Sequence, residues 1–133
     1  MSLIKLVNIS KSFKGKQIFN NFNLEVEKGE FLGIKGESGA GKSTLLNIIG
    51  LLEDCEGKIF IEGKEVSSHN TKEVRKLLSN RIGYLFQNFA LIDDLTVYEN
   101  LKIVLNGVSK KESRKIILEE LNKLGLSETI DKK

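Results

Sequence analysis

Gly36-Glu37-Ser38-Gly39-Ala40-Gly41-Lys42-Ser43-Thr44 is the stretch that decides how this chain is read. It fits G-x-x-x-x-G-K-[ST], with both fixed glycines, the lysine and the hydroxyl residue in place. Gly36, Gly39 and Gly41 carry no Cβ, so the backbone is expected to turn with positive φ and bring its N–H groups close to a phosphate. Lys42 is a point charge placed to reach β- and γ-phosphates, and the Ser43 hydroxyl can take one position on Mg²⁺. The flanks agree with this reading. Phe31-Leu32-Gly33-Ile34 is a short apolar run that predicts a buried strand, and residues 44–52 have apolar positions at helical spacing. Strand, glycine loop and helix in that order aim a helix N-terminus at an anion.

Composition bounds the rest. The 133 residues suit one domain with a sizeable core, and a net charge of +3 is too mild to argue for nucleic acid or a membrane surface. A single cysteine, Cys55, leaves no internal disulfide. No apolar run approaches the ~18 residues of a membrane span, and the first residues lack a signal-like apolar core. The expected setting is cytoplasmic and reducing. His69 stands alone in a polar loop and has no partner ligands at useful spacing.

Residues 3–9 and 17–27 predict two strands joined by a basic turn at residues 11–16. In the second, Phe22, Leu24 and Val26 alternate with Asn23, Glu25 and Glu27. Residues 58–66, broken at Gly63, predict a hairpin. Thr71 is a plausible N-cap for a short helix ending near residue 78. Residues 81–86 predict a further strand that ends at Gln87-Asn88. A helix is expected over 96–106 and a last one over 110–124, where Ser109 and Glu112 have capping-box spacing and Gly125 a C-cap position. Ile117, Leu121 and Leu124 form its apolar stripe.

Phosphate loops serve several enzyme classes. Guanine recognition needs N-K-x-D, and Asn122-Lys123-Leu124-Gly125 lacks the aspartate. A nucleotide kinase needs an arginine-rich lid, whereas Arg75, Arg81 and Arg114 are scattered. The better match, over nearly the whole chain, is to the ATP-binding subunits of ABC transporters. Ile9-Ser10-Lys11-Ser12-Phe13 resembles that family's start, and the segments at 24–31, 47–52 and 57–63 resemble its approach to the phosphate loop, its first helix and the hairpin after it. Most specific is Ile82-Gly83-Tyr84-Leu85-Phe86-Gln87-Asn88-Phe89-Ala90-Leu91, followed by Leu95-Thr96-Val97-Tyr98-Glu99-Asn100-Leu101. This resembles the Q-loop and the entrance to the helical subdomain, closest to the branch serving lipoprotein, macrolide and bacteriocin export. Lys35 departs from the pattern, which has an apolar residue there.

The resemblance implies an α/β fold: a P-loop NTPase core with an N-terminal antiparallel β element and the start of a helical subdomain, incomplete. Residues 1–87 would hold the β element and nucleotide-binding core, and residues 88–133 the Q-loop and the beginning of the helical subdomain. ATP and Mg²⁺ are the implied cofactors, with Phe13 stacking on adenine, residues 36–44 on the phosphates, and Ser43 and Gln87 at the metal. Gln87 would also sense the attacking water. The implied partners are a transmembrane permease subunit and a second ATP-binding subunit, with the protein peripheral on the inner face of the membrane. The family's signature, Walker B and switch-histidine segments lie beyond the stretch that resembles this chain, which covers roughly three-fifths of such a domain. The chain alone is therefore expected to bind nucleotide, turn over little, and self-associate through exposed strand edges. The alternative is a non-catalytic nucleotide-binding or interaction module.

Overall fold

Asn8 sets the geometry of the sheet. In the computed structural model, which describes residues 1–67, 71–105 and 107–133, β1 (Ser2–Phe13) pairs antiparallel with β2 (Lys16–Glu27). Leu6 is paired with Leu24 and Ile9 with Phe22, so three steps along β1 answer two along β2. That extra residue is a β-bulge, and Asn8 sits in it with φ 52°. Strict alternation would put Leu6 and Ile9 on opposite faces, yet both are buried in the same cluster. Asn23 staples the bulge: its Oδ1 accepts from Asn8 N–H at 2.9 Å, and its Nδ2 donates to Asn21 O at 2.9 Å. Gly57, with φ 104°, lies against this bulge, where a Cβ would stand 2.5 Å from the Asn8 carbonyl oxygen.

β3 (Glu56–Ile61) pairs with the other edge of β1 and then with β4 (Lys64–Val66), giving the antiparallel order β2-β1-β3-β4. Two turns, Lys14-Gly15 at φ 48° and 77° and Glu62-Gly63 at φ 53° and 79°, have both central residues left-handed. That is the hairpin geometry whose twist matches the flanking strands. α1 (Lys42–Ile49) and α2 (Thr71–Asn80) complete the first compact unit, Met1–Gly83. Ile48 of α1 and Val74 of α2 join Leu6, Ile9, Ile59, Ile61 and Val66 in its core. The predicted solvent alternation of β2 holds from Phe22 to Glu27. The His69 position lies outside the described residues, as does the side chain of the expected cap Thr71.

Two predicted strands do not form. Residues 31–34 and 81–86 join no ladder among the described residues. An apolar run supplies side chains for a buried strand, but a strand also needs a backbone neighbour, and the sheet described here runs entirely through β1 to β4. Exposure follows: Phe31 is 100% accessible and Leu85 91%.

The second unit, Tyr84–Lys133, holds α3 (Val97–Lys102), α4 (Lys110–Lys123) and a 3₁₀ turn at Ser127–Thr129. Thr96 Oγ1 accepts from Glu99 N–H at 3.2 Å, and Glu99 Oε2 accepts from Thr96 N–H at 2.8 Å, a reciprocal capping box. α3 is shorter than the expected 96–106: Leu105 N–H bonds back to Lys102 O at 2.9 Å, which closes it as a turn, and Asn106 lies outside the described residues. At the start of α4 Ser109 Oγ accepts from Glu112 N–H at 3.2 Å. At its end Gly125 N–H donates to Asn122 O and Leu126 N–H to Leu121 O, the paired bonds of a Schellman cap. This cap turns Leu124 outward to 72% exposure, so the buried row is Ser113, Ile117 and Leu121 rather than the predicted stripe. Tyr98 and Ile130 pack on Ile117 and Leu121, and Val97 and Tyr98 N–H donate to Lys132 and Ile130 carbonyls. Arg114 makes a two-pronged pair with Asp131 at 2.8 and 3.1 Å.

Two exposed carboxylates in this unit are held below their usual range. The Thr96 backbone N–H, then its hydroxyl, act on Glu99, and the Arg114 hydrogen bonds act on Asp131. A depressed folded-state value means stability that is present above the ordinary carboxylate range and lost as pH falls through the folded value. Both tyrosines, Tyr84 and Tyr98, lie in this unit and the chain has no tryptophan, so tyrosine fluorescence reports its unfolding alone. The urea midpoint should fall on acidification below about pH 4, and more shallowly in Glu99→Gln with Asp131→Asn. An acid limb unchanged by the double substitution would contradict the assignment.

Candidate phosphate-binding site

The loop at 36–41 follows directly from the sheet. β2 ends in a tight turn in which Glu30 N–H donates to Glu27 O at 3.2 Å, and Glu30 Oε2 accepts from Glu27 N–H at 2.8 Å. After the unladdered run at 31–35 the backbone turns at Glu37, whose carbonyl accepts from Ala40 N–H at 3.1 Å. Gly39 and Gly41 take φ 82° and 97°, as the glycine spacing predicts, whereas Gly36 keeps negative φ. A Cβ at Gly36 would meet that of Ala40 at 3.4 Å, an ordinary contact, so neither φ nor crowding requires glycine there.

Gly41 is the tightest point. A Cβ on it would fall 2.4 Å from Ile18 Cγ2 and 3.2 Å from the Phe19 ring, so β2 packs directly on the glycine that caps α1. The first helical bond is Leu45 N–H to Gly41 O at 2.8 Å. The amides of Lys42, Ser43 and Thr44 thus precede the helical ladder, and no acidic side chain occupies the first turn. Such an end carries partial positive charge and donors aimed outward.

Lys42 folds back over the loop, its Nζ donating to Gly36 O at 2.5 Å and Glu37 O at 2.6 Å. This ties the ammonium to the carbonyls of the loop that leads into the helix. Ser43 is exposed and Thr44 half-buried. A cavity of about 390 Å³ adjoins the loop, bounded by Phe19, Phe22, Leu24, Ile34, Gly41 and Lys42 among others. Lys35 also lines it. Ile18 and Phe19 escaped sequence reasoning, although their adjacent apolar side chains break the alternation of β2 and so mark a second contact.

Phe13 does not line this cavity. It stands at the tip of the β1–β2 hairpin, 56% exposed, with the Lys14 ammonium 5.9 Å from its ring centre. Gln87 and Ser43, expected to share a metal, belong to different units. Gln87 is exposed at the start of a turn in which Phe89 and Ala90 take φ 64° and 51°. Burial pushes the Cys55 thiol up against the opposing pull of Lys11, and so disfavours the thiolate. Asp93 and Asp94 are exposed.

Comparison with known proteins follows this geometry. The family described as ABC transporter matches residues 19–133. The chain is 42% identical over 134 residues to the lipoprotein-releasing system ATP-binding protein LolD of Aquifex aeolicus (strain VF5), covering 98% of this chain and 60% of that protein. It is also 42% identical over 129 residues to the methionine import ATP-binding protein MetN of Clostridioides difficile (strain 630), covering 95% of this chain and 40% of that one. Among solved structures, the post-hydrolysis dimer of the ATP-binding cassette MJ0796 bound to ADP and Pi is 38% identical with a TM-score of 0.83, covering 96% of this chain and 60% of that one; MJ0796 is a protein of Methanocaldococcus jannaschii. The chain therefore spans about 60% of the length of LolD and MJ0796. With a family match over residues 19–133 and relatives of this identity, the chain belongs to the ABC transporter family.

Proposed function

We propose that the protein is the ATP-binding subunit of a membrane transporter, and that residues 36–44 hold the nucleotide's phosphates. The observation that carries this is Lys42, held by two carbonyls of the glycine loop whose end leaves the first amides of α1 outside the helical ladder. Those donors and that charge fit a di- or triphosphate. The Ser43 hydroxyl, exposed at the same helix end, would take a position on Mg²⁺, which supplies charge neutralisation when bound. Phe13 supplies a face on which adenine stacks. Gln87 would be the metal- and water-sensing residue that the family resemblance implies.

In the whole protein we assign ATP hydrolysis to a pair of such subunits attached to a transmembrane permease on the cytoplasmic face, with export as the direction. LolD is named for lipoprotein release and matches 98% of this chain; MetN, equally identical, is named for import, so the direction is decided by transport assays of the assembled complex. No helix among the described residues is long and apolar enough to cross a membrane, which suits a subunit that attaches to a separate permease. Taken alone, these 133 residues hold the cradle and bind nucleotide with little turnover.

Lys42→Ala should weaken Mg-ATP binding at least about tenfold by calorimetry, since charge-assisted phosphate contacts exceed ~1.4 kcal/mol. Unchanged affinity would sink the site, and steady hydrolysis by the 133-residue chain that Lys42→Ala abolishes would refute the low turnover. Phe13→Ala should lose about 1–3 kcal/mol of ATP affinity while leaving inorganic tripolyphosphate binding as it was. Equal losses for both ligands would remove Phe13 from the base. The unladdered apolar runs at 31–34 and 81–86 should make the 133-residue chain associate as its concentration rises. Sedimentation showing one monomeric species across a roughly hundredfold range of concentration, about 2.7 kcal/mol in association free energy, would refute it.

A further inference from the structure

We propose that Asn100 is a positioning residue for coupling: it fixes the loop at 92–96, through which a membrane subunit would act on Gln87. This rests on the transporter reading above. Asn100 Oδ1 accepts from Ile92 N–H at 2.9 Å, while Nδ2 donates to Ile92 O at 3.1 Å, Thr96 O at 3.1 Å and Leu95 O at 3.4 Å. One side chain thus holds both backbone polar groups of Ile92 and two carbonyls at the end of the loop. Its own base is firm. Asn100 N–H donates to Thr96 O at 3.0 Å, and α3 is tied down by the capping box and by the Val97 and Tyr98 bonds to Lys132 and Ile130.

The other end of the segment differs. Two and three residues after Gln87, Phe89 and Ala90 adopt φ 64° and 51°, a conformation that a bulky side chain rarely takes. The stretch between Gln87 and α3 therefore has a strained end beside the glutamine and a clamped end at Asn100. Between them Leu91 and Ile92 stand exposed. A displacement applied to a floppy loop would be absorbed within it. With the 92–96 portion held in one shape, the displacement passes to the strained turn and so to Gln87. The requirement is chemical as well as steric, since only a primary amide offers an acceptor for Ile92 N–H together with donors for the carbonyls.

Asn100→Asp keeps the acceptor and removes the donors, whereas Asn100→Ala removes both. The experiment compares ATP turnover by the full-length subunit alone with turnover by the same subunit assembled with its membrane subunit in lipid vesicles. Basal turnover should stay within about twofold of wild type. Stimulation by the membrane subunit should fall about fivefold or more in Asn100→Asp, and at least as far in Asn100→Ala. Tyrosine-monitored unfolding of the 133-residue chain carrying Asn100→Asp establishes that the milder variant is folded. Wild-type protein that shows no stimulation overturns the transporter reading itself. Stimulated wild type with equally stimulated variants overturns the role of Asn100, and so does a fall in basal and stimulated turnover by the same factor, which is what a purely structural role would give.

Discussion

The structure turns on the absence of one Cβ. Gly41 lies so close to Ile18 and Phe19 that no side chain fits, and its φ of 97° is one that L side chains rarely adopt. Three elements meet there: strand β2 from below, the glycine loop from one side and the first turn of α1 above. Backbone-to-side-chain contact at this distance makes the antiparallel sheet the floor of the phosphate loop. Any movement of β2 reaches the helix N-terminus directly, because protein interiors are packed too densely to absorb it. The bulge at Asn8 belongs to the same chain of dependence. It turns both Leu6 and Ile9 into the core that also takes Leu45 and Ile48 of α1, and thereby seats that helix.

The folded-back lysine follows from the same arrangement. With its carbonyls at Gly36 and Glu37 only 2.5 and 2.6 Å from Nζ, the loop supplies its own counter-dipoles to an ammonium that would otherwise repel the helix end. A phosphate docking at this loop, as proposed, would meet a charge already oriented and cost little side-chain entropy.

Much of this was legible from residue spacing, and the failures have physical causes. The glycine motif placed the loop and α1 because local chemistry specifies them: φ at Gly39 and Gly41, and the amides of a helix start. The alternation at Phe22, Leu24 and Val26 placed β2 for a similar reason. Runs at 31–34 and 81–86 misled because an apolar run records what a side chain needs and is silent about where a backbone partner comes from. Leu124 misled because periodicity carries past a helix end, whereas the Schellman bonds at Gly125 stop the helix first. Neither Asn8 nor Asn100 announces itself in sequence. A bulge and a loop clamp depend on which distant carbonyl lies within reach of a short amide.

Energies explain why the segment after Gln87 combines strain and clamping. Two non-glycine residues in the left-handed region cost roughly 1–2 kcal/mol each, about 2–4 kcal/mol for Phe89 and Ala90 together. The Asn100 amide accepts one hydrogen bond and has two N–H donors to share among the Ile92, Leu95 and Thr96 carbonyls; at about 0.5–1.5 kcal/mol for each of three bonds, the sum is of the same order. Had the clamp been far stronger, the turn would be over-determined and deaf to anything docking beside it. Had it been far weaker, the chain would relax at Phe89 into ordinary backbone geometry and the loop would lose its shape. Near balance is the condition under which a modest external contact moves a backbone from one arrangement to another, and Gln87 stands directly at the point that would move.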